Sequence, residues 1–403
     1  MVVTVTSNEK IWTKSFISIF ISNFFTFMVF YALLTSLPIY VTESLSKTKT
    51  EAGLVVTAFL LSAIIIRPFS GKLLDLFGKK NMLFISVVMY AVSSLLYIWV
   101  EGFYFMLALR ALHGIWFSIA TTATGAIAAD VIPKSKRGEG LGYYGMSMNI
   151  AVVAGPFVAL TLLQFMTFKS LFVVLTIISI AGVIFSSLVR VQDENGDIEG
   201  ATTKSKRLSL EDLFEKRALP IALVASLVAF SYSSVISFIS IFAKEVGLLG
   251  AANFFFLVFA LTMILFRPLV GRLFDTKGPN IVIYPALLFF MGGLLLLSVT
   301  NSATTLLIAG ALIGLGYGSI TPCFQTLAVQ AADIKRSGHA TATYFTFFDT
   351  GIALGSYVLG MVASYLGYSK LYLLSALLVI ITLLLYFSVQ RAQGRNDRLM
   401  VSE

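Results

Sequence analysis

Between Gly278 and Ala332 the chain carries no charged side chain. A run of about 18 or more apolar residues with few charges is long enough to cross a bilayer as a helix. This stretch holds two such runs, one on each side of the turn from Asn301 to Thr305. The same pattern continues in both directions. Twelve apolar segments can be read, at roughly 15–42, 52–68, 81–99, 103–127, 141–166, 171–189, 218–243, 247–266, 281–300, 304–327, 340–366 and 371–389. They are apolar continuously, without the alternation of barrel strands, so the expected class is an all-α integral membrane protein with twelve transmembrane helices. Composition agrees: 58% of residues are hydrophobic and 12% charged, against about 25% charged in a soluble domain.

The chain is also internally repeated. Residues 67–80 read RPFSGKLLDLFGKK, and residues 267–278 read RPLVGRLFDTKG. Arg67, Pro68, Gly71, Leu73, Asp75 and Gly78 each return as the same residue 200 positions later, and Lys72 returns as Arg272. Gly114, Gly138 and Gly155 return at the same offset as Gly314, Gly338 and Gly355. Two pseudo-symmetric six-helix bundles are therefore expected, as residues 1–190 and 218–403, joined by a linker over 191–217. The linker is acidic at Asp193, Glu194 and Asp197, then basic from Lys204 to Arg207. Ser209, followed by Glu211 and Asp212, can cap a short helix with Leu210, Leu213 and Phe214 on one apolar face; a flexible tether is the alternative.

Lys and Arg set the expected orientation. With the N-terminus inside, only Lys47, Lys49, Lys169, Lys244 and Lys370 fall outside, and Arg110 alone falls within a span. Both termini are then cytoplasmic. The net charge of +9 reflects this bias and calls for no nucleic-acid partner; the lipid bilayer is the partner it implies. Cys323 is the one cysteine, and His113 and His339 are the only histidines. No disulfide, metal site or cofactor is expected from them.

Three motifs resemble those of the major facilitator superfamily, and within it the twelve-span drug:proton antiporters. Gly71-Lys-Leu-Leu-Asp75-Leu-Phe-Gly78-Lys79-Lys80 is similar to the family's loop between spans two and three. Arg110-Ala-Leu-His-Gly114 is similar to its Arg-x-x-x-Gly motif in span four, tied to proton coupling. Gly155-Pro156 in span five is similar to its antiporter motif, although Phe157, Val158, Ala159 and Leu160 stand where further glycines are usual. The resemblance implies a plasma-membrane transporter, monomeric, that exchanges protons for a small-molecule substrate by rocking one half against the other. Export of amphipathic or cationic compounds such as drugs is the expected activity. The alternatives are export of one metabolite, such as a sugar or a metal-chelating metallophore, and a non-transporting membrane receptor. An enzyme would need convergent nucleophiles, bases or metal ligands, which the spans do not offer.

Physical reading of single residues adds roles. The duplicated stretch, with Arg67, Gly71, Asp75, Gly78, Lys79, Lys80, Arg267 and Asp275, is expected to form a cytoplasmic gate. In it Asp75 closes a tight loop near a helix start, where an anion is favoured, and Arg67 and Lys79 compete for its carboxylate. Arg110 lies about 10 Å into its span and must face the bundle interior. Asp349 is the one acid placed deep within a span, about 15 Å in, and intramembrane acids are functional by default. It is the expected coupling residue, with Arg110 as its partner and His113, one turn from Arg110, as a second proton carrier. Asn149 is its uncharged counterpart in the first half. Asn23, Phe27 and Tyr31 on span one, Tyr144, Met148 and Asn149 on span five and Tyr232 on span seven are the expected cavity lining, because aromatic and Met surfaces suit adaptable binding of apolar or cationic ligands. Gly310, Gly314 and Gly318 permit close helix packing.

Overall fold

The computed structural model describes residues 10–47, 49–190, 213–333 and 336–401. Among them twelve long helices follow one another: α1 (Lys14–Glu43), α2 (Lys49–Phe77), α3 (Lys79–Leu96), α4 (Phe103–Val131), α5 (Arg137–Leu163), α6 (Phe168–Ser187), α7 (Leu219–Glu245), α8 (Leu249–Lys277), α9 (Asn280–Ser298), α10 (Ala303–Ala331), α11 (Ser337–Leu366) and α12 (Tyr368–Val401). Each contains a stretch long and apolar enough to cross a membrane, and each answers to one of the twelve expected spans. Local chemistry starts several of them. Thr13 accepts the Phe16 N–H at the head of α1, and Thr167 accepts the Ser170 N–H at the head of α6. The turn expected near Asn301 closes as a capping box between Ser302 and Thr305, which satisfies backbone donors that the first turn of α10 leaves over. The expected linker helix at Ser209 lies mostly outside the described residues, since 191–212 are not among them.

Two expectations need correction. The polar stretch from Arg67 to Lys80 is not a loop: α2 runs on to Phe77, α3 begins at Lys79, and Gly78 alone separates them. Asp75 accordingly sits near the end of a helix rather than in a tight turn. Pro68 removes one backbone donor without ending α2, because an intramembrane helix can hand the freed carbonyl to its neighbours. The second copy behaves the same way, with Pro268 inside α8. It follows that Arg110 is not alone within a span. Arg67 and Arg267 are also inside helices and are 3% and 4% exposed. The break itself needs glycine: Gly78 and Gly278 have φ of +81° and +89°, a region that side-chain-bearing residues rarely enter.

The chain divides into two compact units. One comprises Met1–Ile66 and Lys72–Ser209, the other Arg67–Gly71 and Leu210–Glu403. The piece Arg67–Gly71, in the middle of α2, thus groups with the second unit. Each unit follows one packing plan. In the first, α1 lies on α5 and α6, and α3 lies on α4 and α6; in the second, α7 lies on α11 and α12, and α9 lies on α10 and α12. The equivalence reaches single atoms. A methyl on Gly114 would strike the Phe59 carbonyl and the Ser62 hydroxyl, and a methyl on Gly314 would strike the Phe259 carbonyl and the Thr262 hydroxyl. Those partners are again 200 residues apart. Small residues let helix backbones meet where no apolar driving force between helices exists.

Candidate functional site

In the first unit, the polar residues of α3, α4 and α6 converge. Arg110 is fully buried. Its Nε donates to the Val55 carbonyl at 3.3 Å, and its guanidinium lies 4.2 Å from the centre of the Phe59 ring. One turn on, His113 is fully buried as well. Its Nε2 lies 3.3 Å from the Ser94 hydroxyl and its Nδ1 lies 3.3 Å from the Tyr97 hydroxyl. Ser179 on α6 donates to Ser94 at 3.1 Å, which extends the chain. The Tyr90 ring covers the imidazole at 4.0 Å, while its hydroxyl donates to the Thr26 carbonyl. Buried polar groups of this kind are costly unless bonded to one another. Helical spacing brought Arg110 and His113 together in the sequence. Ser94, Tyr97 and Ser179 were not legible, because Ser94 and Tyr97 reach the imidazole from α3 and the turn that follows it, and Ser179 reaches Ser94 from α6.

A second polar knot in the same unit holds two of the expected cavity residues. The Asn23 amide donates to Ser147 at 2.7 Å, and its oxygen accepts from Thr124 at 3.0 Å and from Tyr144 at 3.1 Å. Asn23 and Tyr144 thus satisfy each other. Phe27 packs edge-on against Phe117 and stacks with Tyr31, and Met148 packs on the same core. Asn149 is buried, whereas Tyr31 and Met148 are half-buried. Gly155, from the expected antiporter motif, lies against α1: a methyl there would come 2.7 Å from the Met28 carbonyl and 2.8 Å from Tyr31. Pro156 follows inside α5.

The second unit holds the intramembrane carboxylate. Asp349 does not pair with Arg110. The Arg67 Nη2 meets its Oδ2 at 2.8 Å. The Asp349 side chain is 28% exposed while that of Arg67 is 3% exposed, so the acid is the more open member of the pair and the guanidinium is enclosed. The Arg67 guanidinium also lies 5.1 Å from the centre of the Phe345 ring. Asp349 comes twelve residues after the start of α11, about 18 Å along the helix. Arg267, the repeat of Arg67, is spent differently, donating to the Gly318 carbonyl. Tyr232 stacks on Tyr317 with ring centres 3.6 Å apart, flanked by Phe259.

Gly71 touches the start of α11, where a methyl would come 2.9 Å from the His339 Cα and 3.1 Å from its nitrogen. Asp75 and Lys80 are exposed and Asp275 is half-buried. Lys79 bonds Asp130 at the end of α4 at 2.6 Å, with Arg137 within electrostatic reach of the same carboxylate. Glu215, buried just after the undescribed stretch, pairs with Arg336 and donates its N–H to Thr343 at 2.9 Å.

A sequence model of the Major Facilitator Superfamily matches residues 19–356 and 250–400. An MFS-type transporter of Methanocaldococcus jannaschii is 23% identical over 384 residues, which is 94% of this chain and 99% of that one. The quinolone resistance protein NorA of Staphylococcus aureus is 30% identical over 141 residues, 34% of this chain and 36% of NorA. Among solved structures, the human organic anion transporter MFSD10 superposes with a TM-score of 0.75 at 16% identity, covering 92% of this chain and 98% of that one. The transporter FucP in its outward conformation gives 0.71 at 15% identity with the same coverage.

Proposed function

The chain belongs to the Major Facilitator Superfamily and is a multi-pass membrane transporter, and from that premise we propose that it exports small amphipathic or cationic compounds in exchange for protons. The observation that carries the proposal is Asp349, an acid far inside a span, held by a buried arginine and the more open member of that pair. A charge crossing the membrane potential gains about 2.3 kcal/mol per 100 mV, so a carboxylate that takes up and releases a proton at that depth can turn the gradient into work. Protonation neutralises Asp349 and frees Arg67; ionisation pulls the guanidinium back. That is a two-position element of the kind alternating access requires.

In this reading Arg110 and His113 are the polar centre of the first half, and Asp75, Gly78, Lys79, Lys80 and Asp275 form the gate with Arg67, Gly71 and Arg267. Phe27, Tyr31, Met148, Asn149 and Tyr232, with the Asn23–Tyr144 knot, line the substrate path. In this reading both termini are cytoplasmic, which the Lys and Arg bias supports, and the chain works in the plasma membrane as a monomer, with bundles at 1–190 and 218–403 and a linker at 191–217. The partial similarity to NorA supports a drug-like substrate.

The test is Asp349→Asn, which mimics the protonated acid. In inverted vesicles it is expected to bind a cationic dye and exchange it passively, yet lose proton-driven accumulation. Undiminished accumulation would place the coupling proton elsewhere.

A further inference from the structure

Phe345 and Asp349 stand four residues apart on α11, so they share a face. Together they make an aromatic surface beside a carboxylate, and both engage one group: the Arg67 guanidinium, 2.8 Å from the Asp349 oxygen and 5.1 Å from the Phe345 ring centre. Arg67 comes from α2 and the two receptor residues from α11, so occupant and receptor are carried by different helices and can part. All three belong to the second unit.

The internal repeat argues against a purely structural pairing. Arg267 occupies the equivalent place in its helix and bonds the Gly318 carbonyl instead. Asn149, at the position equivalent to Asp349, carries no charge. The other copy is therefore built without an acid at the position equivalent to Asp349. The pair at Arg67 is an addition, and its carboxylate side is the more open one.

We propose that Phe345 and Asp349 form a receptor for planar organic cations of the guanidinium or amidinium class, and that Arg67 is the chain's own occupant of that receptor. A guanidinium presents a flat fork of donors to a carboxylate and a weakly hydrated face to an aromatic ring. An ammonium offers neither the fork nor the face. Arg67 acts as a built-in competitor: a ligand of this class enters by displacing it, and the guanidinium returns when the ligand leaves. The proposal rests on the export reading only in taking Asp349 to lie on the path of the transported compound.

The experiment measures phenylguanidinium binding to purified protein in detergent, with no proton gradient, and uses neutral phenylurea as control. Wild type, Arg67→Ala and the double variant Arg67→Ala/Asp349→Asn are compared. Emptying the receptor is expected to tighten phenylguanidinium binding about tenfold over wild type, and the double variant to lose that gain. Phenylurea is expected to bind all three alike. Should Arg67→Ala fold poorly, Arg67→Gln keeps the length of the side chain without its charge and gives the same comparison. Equal phenylguanidinium affinity in the single and double variants overturns the receptor, as does the absence of any gain in a folded Arg67 variant. Because no gradient is present in the binding experiment, the two readings fail separately: undiminished proton-driven accumulation by Asp349→Asn overturns the coupling role of Asp349 and leaves the receptor standing, whereas equal phenylguanidinium affinity in the single and double variants overturns the receptor and leaves the coupling role standing.

Discussion

The two halves use one scaffold and fill it with opposite chemistry. Around Gly114 in the first unit stand Tyr90, Ser94, Tyr97, Arg110 and His113; around Gly314 in the second, the same positions read Phe290, Leu294, Leu297, Gly310 and Ile313. Where Arg110 reaches the Val55 carbonyl, Gly310 has no side chain, and the Phe255 ring closes in on it: a methyl there would come 2.9 Å from that ring. Phe290, Leu294, Leu297 and Ile313 are all buried, so the apolar version builds a complete bundle. The polar version is not needed for folding at those positions. It costs desolvation that the other half does not bear, which is why the proposal gives it a role in transport.

The largest break in this comparison is to remove the cation from the first half. Arg110→Ala is expected to abolish gradient-driven accumulation in inverted vesicles while the protein remains inserted and folded. Arg110→Lys is expected to restore only part, because the ammonium cannot both bond the Val55 carbonyl and lie flat on Phe59 as the planar guanidinium does. Normal pumping by the alanine variant would make Arg110 a packing residue.

A smaller effect tests what the halves share. Gly114→Ala and Gly314→Ala each press a methyl on the backbone of the neighbouring helix and are expected to cost about 1–3 kcal/mol each, read as matching falls in thermal midpoint in detergent. Unequal falls would show that the shared plan carries unequal loads. Smallest is Tyr90→Phe, which gives the first half the residue that the second half has at Phe290. It loses only the bond to the Thr26 carbonyl, about 1 kcal/mol, and transport should persist. If Tyr90→Phe stops accumulation without unfolding, the hydroxyl belongs to the working network.

How much of this could be read beforehand depended on distance along the chain. The twelve helices were legible because each apolar run is continuous and local. The repeat was legible because it preserves single residues, and the matched contacts of Gly114 and Gly314 show that it also preserves packing. Arg67 was misplaced because a charge followed by proline reads as the end of a span. Its carboxylate partner, Asp349, stands 282 residues away in the chain. Lys79 with Asp130 and Glu215 with Arg336 were missed for the same reason: no local pattern marks a charge whose partner sits on another helix.

The single-residue break at Gly78 has a mechanical consequence. A loop of several residues absorbs a twist of one helix before the next one feels it. With one residue there is no slack. Any roll of α2 about its axis must be passed to α3 or taken up by the two backbone angles of Gly78; between α8 and α9 stand two residues, Gly278 and Pro279, and the proline ring fixes one of their angles. Each half therefore contains a pair of helices geared closely together at one end, and in each the joint opens on a glycine.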